Sequence, residues 1–359
     1  MARVVLAGGG TGGHVYPALA VADALLEAGH EVIYYGDPGR LEGRVVPERG
    51  LPFRAVHAPQ YPRGGVGKKL VFAARLVQSI LRTLRQLWSE EADVVLGVGG
   101  YISAPTLIAA WLLRRPVALH EANVVPGMAN KLCARFSDHN LLTFEATAAR
   151  LPGGAPSSVV GVAVNRRIFE GTRAEAAKRY GLAAETPTVL FVGGSLGAAK
   201  LNDLALALAK HPSRTAQIVH LTGRRYHGAL LEQLGEVPDG VALVDYEDQM
   251  GMAYALADLV VARAGSATLA ELTALGKPSV LIPSPNVTEN HQEGNARGLE
   301  AQGAAEVVVE ADWDEAAVVE RLIALTADRG ALSAMADRAR AMARPDAAEA
   351  AAAVVLSLT

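Results

Sequence analysis

Residues 7–18, AGGGTGGHVYPA, gather five glycines, one threonine, one histidine and one proline. Gly8, Gly10 and Gly13 fit the spacing G-x-G-x-x-G, in which a backbone without side chains approaches a phosphate at a helix N-terminus. The same run is compatible with a nicotinamide dinucleotide, with another phosphate, or with a tight turn that holds nothing. A dinucleotide would need an acid to hold its ribose, and Asp37 is the residue for that. His14 falls where the helix begins. A neutral imidazole there can take a proton from an attacking hydroxyl, and the plain alternative is a capping or packing histidine.

Four further stretches carry similar chemistry. In GGSLGA, 193–198, Ser195 reads as a donor to phosphate oxygens or as a helix cap. In ARAGSATLAELTALG, 262–276, Gly265, Ser266 and Thr268 open a helix. Glu271 follows as an acceptor for two ribose hydroxyls, or as a capping-box glutamate. In ENHQEGNA, 289–296, Gln292 and Asn295 share one helix face, and paired amides suit the hydroxyls and acetamido group of a sugar. In LHEANVVPGMANK, 119–131, His120, Glu121 and Asn123 follow directly on a strand.

The elements that must position these residues are legible as an alternation. RVVLAG, HEVIYYGD, ADVVLGVGG and RPVALHEAN are short, continuously apolar runs separated by helical patterns, as buried parallel strands require. The series restarts at TPTVLFVGG and continues through AQIVHLTG, VALVDYED, ADLVVARAG and KPSVLIPSP. The chain therefore reads as α/β, with two doubly wound parallel-sheet units. The first covers 1–160 and the second 161–340, with the seam in the Pro-, Gly- and Ser-rich stretch 152–167. A final helix over about 341–359 is expected to pack back on the first unit. Ligands bind at the carboxyl ends of such sheets, and two units facing one another place both ends at one cleft. That weakens the reading as a dehydrogenase, which needs one dinucleotide unit and a differently built substrate unit, because both halves here offer phosphate-type turns.

Composition narrows the classes further. The 359 residues are 50% hydrophobic and 20% charged with net charge −3, so no global field draws nucleic acid. Cys133 is the single cysteine and cannot form an intrachain disulfide, which fits a reducing compartment. The amino-terminal residues do not read as a leader, and no apolar run reaches the 18 to 20 or so residues of a membrane span. Asp312 to Asp314, DWD, precedes a helical pattern and reads as a cap rather than a metal-binding pair. No metal site or cofactor is expected. Residues 68–88 interleave apolar positions with Lys68, Lys69, Arg75, Arg82 and Arg85, and Arg114 and Arg115 follow Trp111. Such a surface suits anionic lipid, although spacing alone favours a buried amphipathic helix with solvated arginines.

GGGTGGHVYPALAVADAL, GVGGYISAP, HEANVVPGMANK, VGGSLGAAKLN, ARAGSATLAEL and HQEGNA occur in one order across nearly the whole chain. In these the sequence resembles the MurG family of bacterial peptidoglycan glycosyltransferases. The resemblance implies a GT-B fold of two Rossmann-like domains. It implies inverting, metal-independent transfer of N-acetylglucosamine from UDP-N-acetylglucosamine to the 4-hydroxyl of the MurNAc of undecaprenyl-pyrophosphoryl-MurNAc-pentapeptide, lipid I. The expected place is the cytoplasmic face of the membrane, peripherally bound.

Carried to these residues, the resemblance puts Thr11, Gly12 and Gly13 beside both substrates, and Gly10, Gly100 and Tyr101 on the acceptor. It puts Asn123 on the donor sugar and Ser195 on the donor phosphates. Ser266, Ala267, Thr268, Leu269 and Glu271 would take phosphate and ribose, Gln292 and Asn295 the sugar, and Glu247 would lie at the uracil. For the transfer so implied His14 is the leading candidate base, with Glu121 or water as its substitute. The family's G-N-P-V-R reads GVAVNR here, so Asn165 stands at the arginine position, with Arg166 beside it. A GT-B enzyme with another lipid or glycopeptide acceptor, a nicotinamide-dependent oxidoreductase and a non-catalytic nucleotide-sugar binder are the rival readings.

Overall fold

The computed structural model describes residues 1–62, 65–194 and 197–359, and every count or absence below concerns these. The chain divides into two compact units, Met1–Val164 with Arg344–Thr359, and Asn165–Ala343.

Unit 1 is built on a seven-stranded parallel sheet in the order β3-β2-β1-β4-β5-β6-β7. The strands are β1 (Arg3–Ala7), β2 (Glu31–Gly36), β3 (Phe53–Ala55), β4 (Val94–Gly97), β5 (Val117–Glu121), β6 (His139–Leu142) and β7 (Ser157–Val159). The helices between them are α1 (Gly12–Glu27), α2 (Leu41–Glu48), α3 (Val66–Glu90), α4 (Ser103–Leu112) and α5 (Met128–Cys133). The central strands β1 and β4 are apolar from Val4 to Ala7 and from Val94 to Gly97 because each face of the sheet is covered. Val4, Leu6, Val94 and Leu96 point to the α1 side. Val5, Ala7, Val95, Val117 and Leu119 point to the α4 side.

Unit 2 repeats the plan with a six-stranded parallel sheet, order β10-β9-β8-β11-β12-β13. Its strands are β8 (Thr188–Val192), β9 (Gln217–Leu221), β10 (Val241–Val244), β11 (Leu259–Ala262), β12 (Ser279–Leu281) and β13 (Ala305–Val307). Its helices are α6 (Arg173–Tyr180), α7 (Ala199–Ala209), α8 (His227–Leu234), α9 (Met250–Leu256), α10 (Ser266–Leu275), α11 (His291–Glu300), α12 (Glu315–Ala327) and α13 (Arg329–Ala341). Asp314 caps α12 by accepting from the Ala317 amide at 3.1 Å, which accounts for the acidic pair before it.

The chain then returns to unit 1 as α14 (Ala347–Leu356). Ala347, Ala351, Ala352 and Val355 recur at helical spacing and pack with Val15, Ala18, Leu19 and Ala22 of α1 in one core. Small residues on both helices let their backbones approach closely.

In both sheets the strand order reverses beside the first strand of the unit. The crevice of such a sheet lies there. In unit 1 it falls between β1 and β4, and in unit 2 between β8 and β11. The glycine-rich turns after β1 and β8, and the turns after β4 and β11, all sit at these points.

One expectation is overturned. α3 is not a buried amphipathic helix. Of its 25 residues only Ser79, Thr83 and Leu87 are buried, a narrow seam against α4. Leu70 is 67% exposed and Trp88 71%, and Val66, Val71, Val77, Leu81, Trp111 and Leu112 are exposed as well. A seam of one residue per turn cannot cover the apolar face of a helix this long.

Val355 is fully buried against α1. Val355→Asp forces a carboxylate into that core and is expected to cost unit 1 about 3 kcal/mol or more. Hydrogen exchange resolved by segment checks this: protection falls in β1 and α1, and is kept in β8 and β11.

Candidate active site

In unit 1 two glycine turns lie back to back. The Val98 amide donates to the Ala7 carbonyl at 2.9 Å, which carries β1 and β4 to the same level. A Cβ on Gly100 would stand 2.6 Å from the Gly9 carbonyl oxygen. Gly9 and Gly100 both have positive φ, at 152° and 83°, so glycine is required there on two counts. α1 opens directly from this turn. Thr11 is its N-cap, but the Thr11 side chain caps no helix amide. The first-turn amides of Gly12 and Gly13 have no acceptor within the helix. The positive end of α1 is therefore presented to an anion.

The Thr11 hydroxyl instead lies 3.1 Å from His14 Nδ1. The His14 ring rests on Gly99, where a Cβ would come within 2.9 Å of Cδ2 and 3.0 Å of Nε2. Ring orientation is thus set from two sides. When Nδ1–H donates to Thr11, Nε2 carries the lone pair.

The amide of Gly10 is already taken. It donates to both oxygens of Glu42, at 3.1 and 3.0 Å, and the Asp37 amide donates to Glu42 Oε1 at 3.2 Å. Glu42 is fully buried at the start of α2. A protein carboxylate thus fills the place where a dinucleotide phosphate would meet this turn. Asp37 accepts from the Gly39 amide at 2.9 Å and serves its own turn. Both observations oppose the nicotinamide reading, and they leave Gly10 without a free amide to offer a substrate. Nothing in the spacing marks Glu42, since an acid in a first helical turn reads as ordinary helix chemistry.

Glu121 ends β5 and is also corrected. Its Oε1 accepts from the Asn123 amide at 2.9 Å and from Asn123 Nδ2 at 3.2 Å. Its Oε2 accepts from the Gly127 amide at 3.1 Å and Asn130 Nδ2 at 2.7 Å. Burial pushes its pKa up against the pull of these donors. Four bonds make it the clasp of loop 122–127 and leave it unsuited to serve as a mobile base. Asn123 is held in the loop by that clasp, and its carbonyl accepts from Thr147 Oγ1 at 3.0 Å. His120, buried beside it, donates from Nε2 to the Gly161 carbonyl at 2.8 Å. Tyr101 is partly exposed in the turn after β4, directly before α4.

In unit 2 the turn after β8 is equally tight. The Gly197 amide donates to the Gly194 carbonyl at 3.0 Å, and a Cβ on Gly193 would meet the Ala198 nitrogen at 2.6 Å. Ser195 lies outside the described residues. The turn after β11 leads into α10, whose N-cap is Gly265 with no side-chain cap. The amides of Ser266, Ala267 and Thr268 therefore point out of an open helix end.

Two assignments here change. Leu269 is buried, and its amide donates to the Gly265 carbonyl at 3.0 Å, so it offers a ligand nothing. Glu271 lies beyond the first turn of α10 and forms no capping box. Its Oε2 accepts from the Tyr254 hydroxyl at 2.7 Å. Burial raises its pKa to about 7, opposed by that hydroxyl.

Gln292 and Asn295 share a face of α11, but they do not present an open pair of amides. Gln292 Oε1 accepts from the Ser284 amide at 2.9 Å. Asn295 is fully buried and donates to the Ala264 carbonyl at 3.3 Å, which pins the turn before α10. Glu247 is buried and accepts from Arg179, Tyr180 and the Gln249 amide, so its side chain cannot read a base. Asn165 caps a 3-10 turn by accepting from the Arg167 amide at 3.0 Å. Arg166 is exposed beside it. Among the described residues no three His, Cys, Asp or Glu side chains gather as a metal-binding group.

Two Rossmann-like units, each with a glycine turn and an open helix end at its crevice, give the GT-B fold, and the family models make the chain a glycosyltransferase of that class. The chain belongs to glycosyltransferase family 28: its N-terminal domain model matches residues 4–141 and its C-terminal domain model residues 188–351. It is 40% identical over 362 residues to the UDP-N-acetylglucosamine–N-acetylmuramyl-(pentapeptide) pyrophosphoryl-undecaprenol N-acetylglucosamine transferase of Salinibacter ruber, covering 99% of this chain and 96% of that protein. It is 37% identical over 354 residues to the enzyme of the same name from Oenococcus oeni, with 97% and 95% covered. The crystal structure of Acinetobacter baumannii MurG superposes with a TM-score of 0.80 at 28% identity, over 99% of this chain and all of that one.

The Tyr254–Glu271 pair gives a direct test. Phenylalanine at 254 removes the donor that favours the charged carboxylate, so the Glu271 pKa is expected to move above about 7. Carboxyl-carbon NMR of unaltered and Tyr254→Phe protein checks this. The raised value also has a sign in stability: the folded chain holds a proton that the unfolded chain releases near pH 4.3. The contribution of Glu271 is full below about pH 4 and is lost as pH rises through about 7.

Proposed function

We propose that this protein transfers N-acetylglucosamine from UDP-N-acetylglucosamine to the 4-hydroxyl of the MurNAc of lipid I, giving a β(1→4) link. The observation that carries this is identity of 34–40% over nearly the whole chain to enzymes named for this transfer. The donor belongs to unit 2. The open amides at Ser266, Ala267 and Thr268, with the turn at 193–198 that contains Ser195, take the diphosphate. Glu271 takes the ribose hydroxyls. Gln292 meets the sugar, while Asn295 acts through the Ala264 carbonyl and Glu247 by fixing the backbone around it. The acceptor belongs to unit 1, where Thr11, Gly12 and Gly13 meet its diphosphate. Gly100 and Tyr101 line the same side, and Asn123 is assigned to the donor sugar. Arg166 supplies the cation near the seam.

The reaction is one displacement with inversion. His14 Nε2 takes the proton of the 4-hydroxyl, and the oxygen bonds to the anomeric carbon. The bond from that carbon to the phosphate oxygen breaks, and UDP leaves with the electron pair. Helix ends oppose the charge that grows on the phosphate, so transfer needs no metal or cofactor. The first experiment follows UDP release with a lipid I analogue in EDTA. Acceptor-dependent release is expected, and His14→Ala is expected to lower kcat about 100-fold or more. Near-normal turnover in that variant removes His14 from the role.

The acceptor is a lipid, and the exposed α3–α4 face suits an anionic membrane surface. No helix among the described residues is long and apolar enough to cross a membrane. Lys68, Lys69, Arg75, Arg82 and Arg85 are exposed among the exposed apolar residues of α3, which supports peripheral binding at the cytoplasmic face. Reversing Lys68, Lys69 and Arg75 to Glu is expected to lower sedimentation with phosphatidylglycerol vesicles about tenfold, from about 1 kcal/mol per cation partly screened by salt. Transfer to a water-soluble acceptor is expected to persist. Unchanged sedimentation moves the membrane contact elsewhere.

A further inference from the structure

Glu42 is a buried carboxylate to which the proposed reaction gives no part. Its stem passes between two glycines. A Cβ on Gly9 would run into its carboxylate, and a Cβ on Gly36 would stand 2.6 Å from its Cγ. Its three hydrogen bonds come from two backbone amides, those of Gly10 and Asp37. It sits in the first turn of α2, where the helix end favours negative charge. One side chain therefore ties the turn after β1 to the turn after β2.

A glycine turn of this kind is an anion site by default. Here the chain supplies the anion itself, at Gly10. A diphosphate approaching the turn finds the Gly10 amide already turned inward onto buried Glu42, and the open amides two and three residues further on, at Gly12 and Gly13. The same bond to Gly10 fixes the backbone from which Thr11 and His14 depart. We propose that Glu42 is a positioning residue for the acceptor: it holds the Gly9–Gly10 turn and confines the acceptor diphosphate to the first turn of α1. This rests on the assignment of unit 1 to the acceptor.

The test is Glu42→Gln, which keeps shape and volume but turns an amide NH2 toward the Gly10 and Asp37 amides. Acceptor KM is expected to rise about fivefold or more, because the loss is in substrate positioning. The UDP dissociation constant should stay within about twofold, because unit 2 is untouched. A folded variant with unchanged acceptor KM overturns the proposal. So does a fall in kcat that only tracks the folded fraction. Should the variant not fold, the unaltered protein still answers by amide exchange. The Gly10 amide is expected to exchange about 100-fold more slowly than those of Gly12 and Gly13, and equal rates overturn the clamp. If the unaltered protein transfers no sugar to a lipid I analogue, it is the acceptor assignment that has failed. Transfer by the unaltered protein with an indifferent Glu42→Gln variant is the failure of this inference alone.

Discussion

The crevice of unit 1 depends on two stretches of backbone meeting closer than any side chain allows. The turns after β1 and β4 touch at Gly9 and Gly100, where one added carbon would stand 2.6 Å from a carbonyl oxygen. That contact sets where α1 begins, and so where Thr11 and His14 point. It also provides the floor under the His14 ring at Gly99. Parallel pairing of β1 with β4 brings the turns together, and the buried faces of both strands hold that pairing in place. Reactive geometry in this unit is therefore a product of sheet register.

Buried carboxylates recur as the means of fixing loops. Glu42 holds the first glycine turn, Glu121 holds loop 122–127, and Glu247 holds the segment before α9. Each accepts at least two donors, and each closes on a backbone amide. A buried charge of this kind is tolerable only when donors surround it. The arrangement removes loop freedom before any ligand arrives, so less conformational entropy is lost on binding. Glu271 differs. It has one protein donor, and burial holds its pKa near 7, which leaves acceptor capacity for a ligand.

Much of this was legible in the sequence. Continuous apolar runs between helical patterns specify parallel sheets covered on both faces, and both sheets are of that kind. The glycine turns after β1 and β8 read as crevice turns because they follow strands and precede helices. The inward turn of Glu42, Leu269 and Asn295 was not legible. Spacing reports which face of a helix a residue shares, but not whether another segment covers that face. Asn295 shares a face with Gln292, and the Ala264 turn folds against it. The exposure of α3 escaped for the converse reason: an amphipathic pattern carries the same signal whether its apolar side meets protein or something else.

The path of the chain has a consequence for its synthesis. Residues 165–343 form a contiguous unit, whereas unit 1 needs residues 344–359 to complete the core around α1. On a ribosome the first sheet and α1 emerge early, but the part of that face that α14 covers, beside α1 and over β4 and β6, stays open until all of unit 2 has been made. The usual order, in which the amino-terminal domain matures first, is inverted. Unit 2 can reach its final packing while the apolar stripe of α1 still waits for Ala351 and Val355. Until then the helix that begins at the His14 turn is covered on one side only, so the packing that holds that turn is completed by the final residues of the chain.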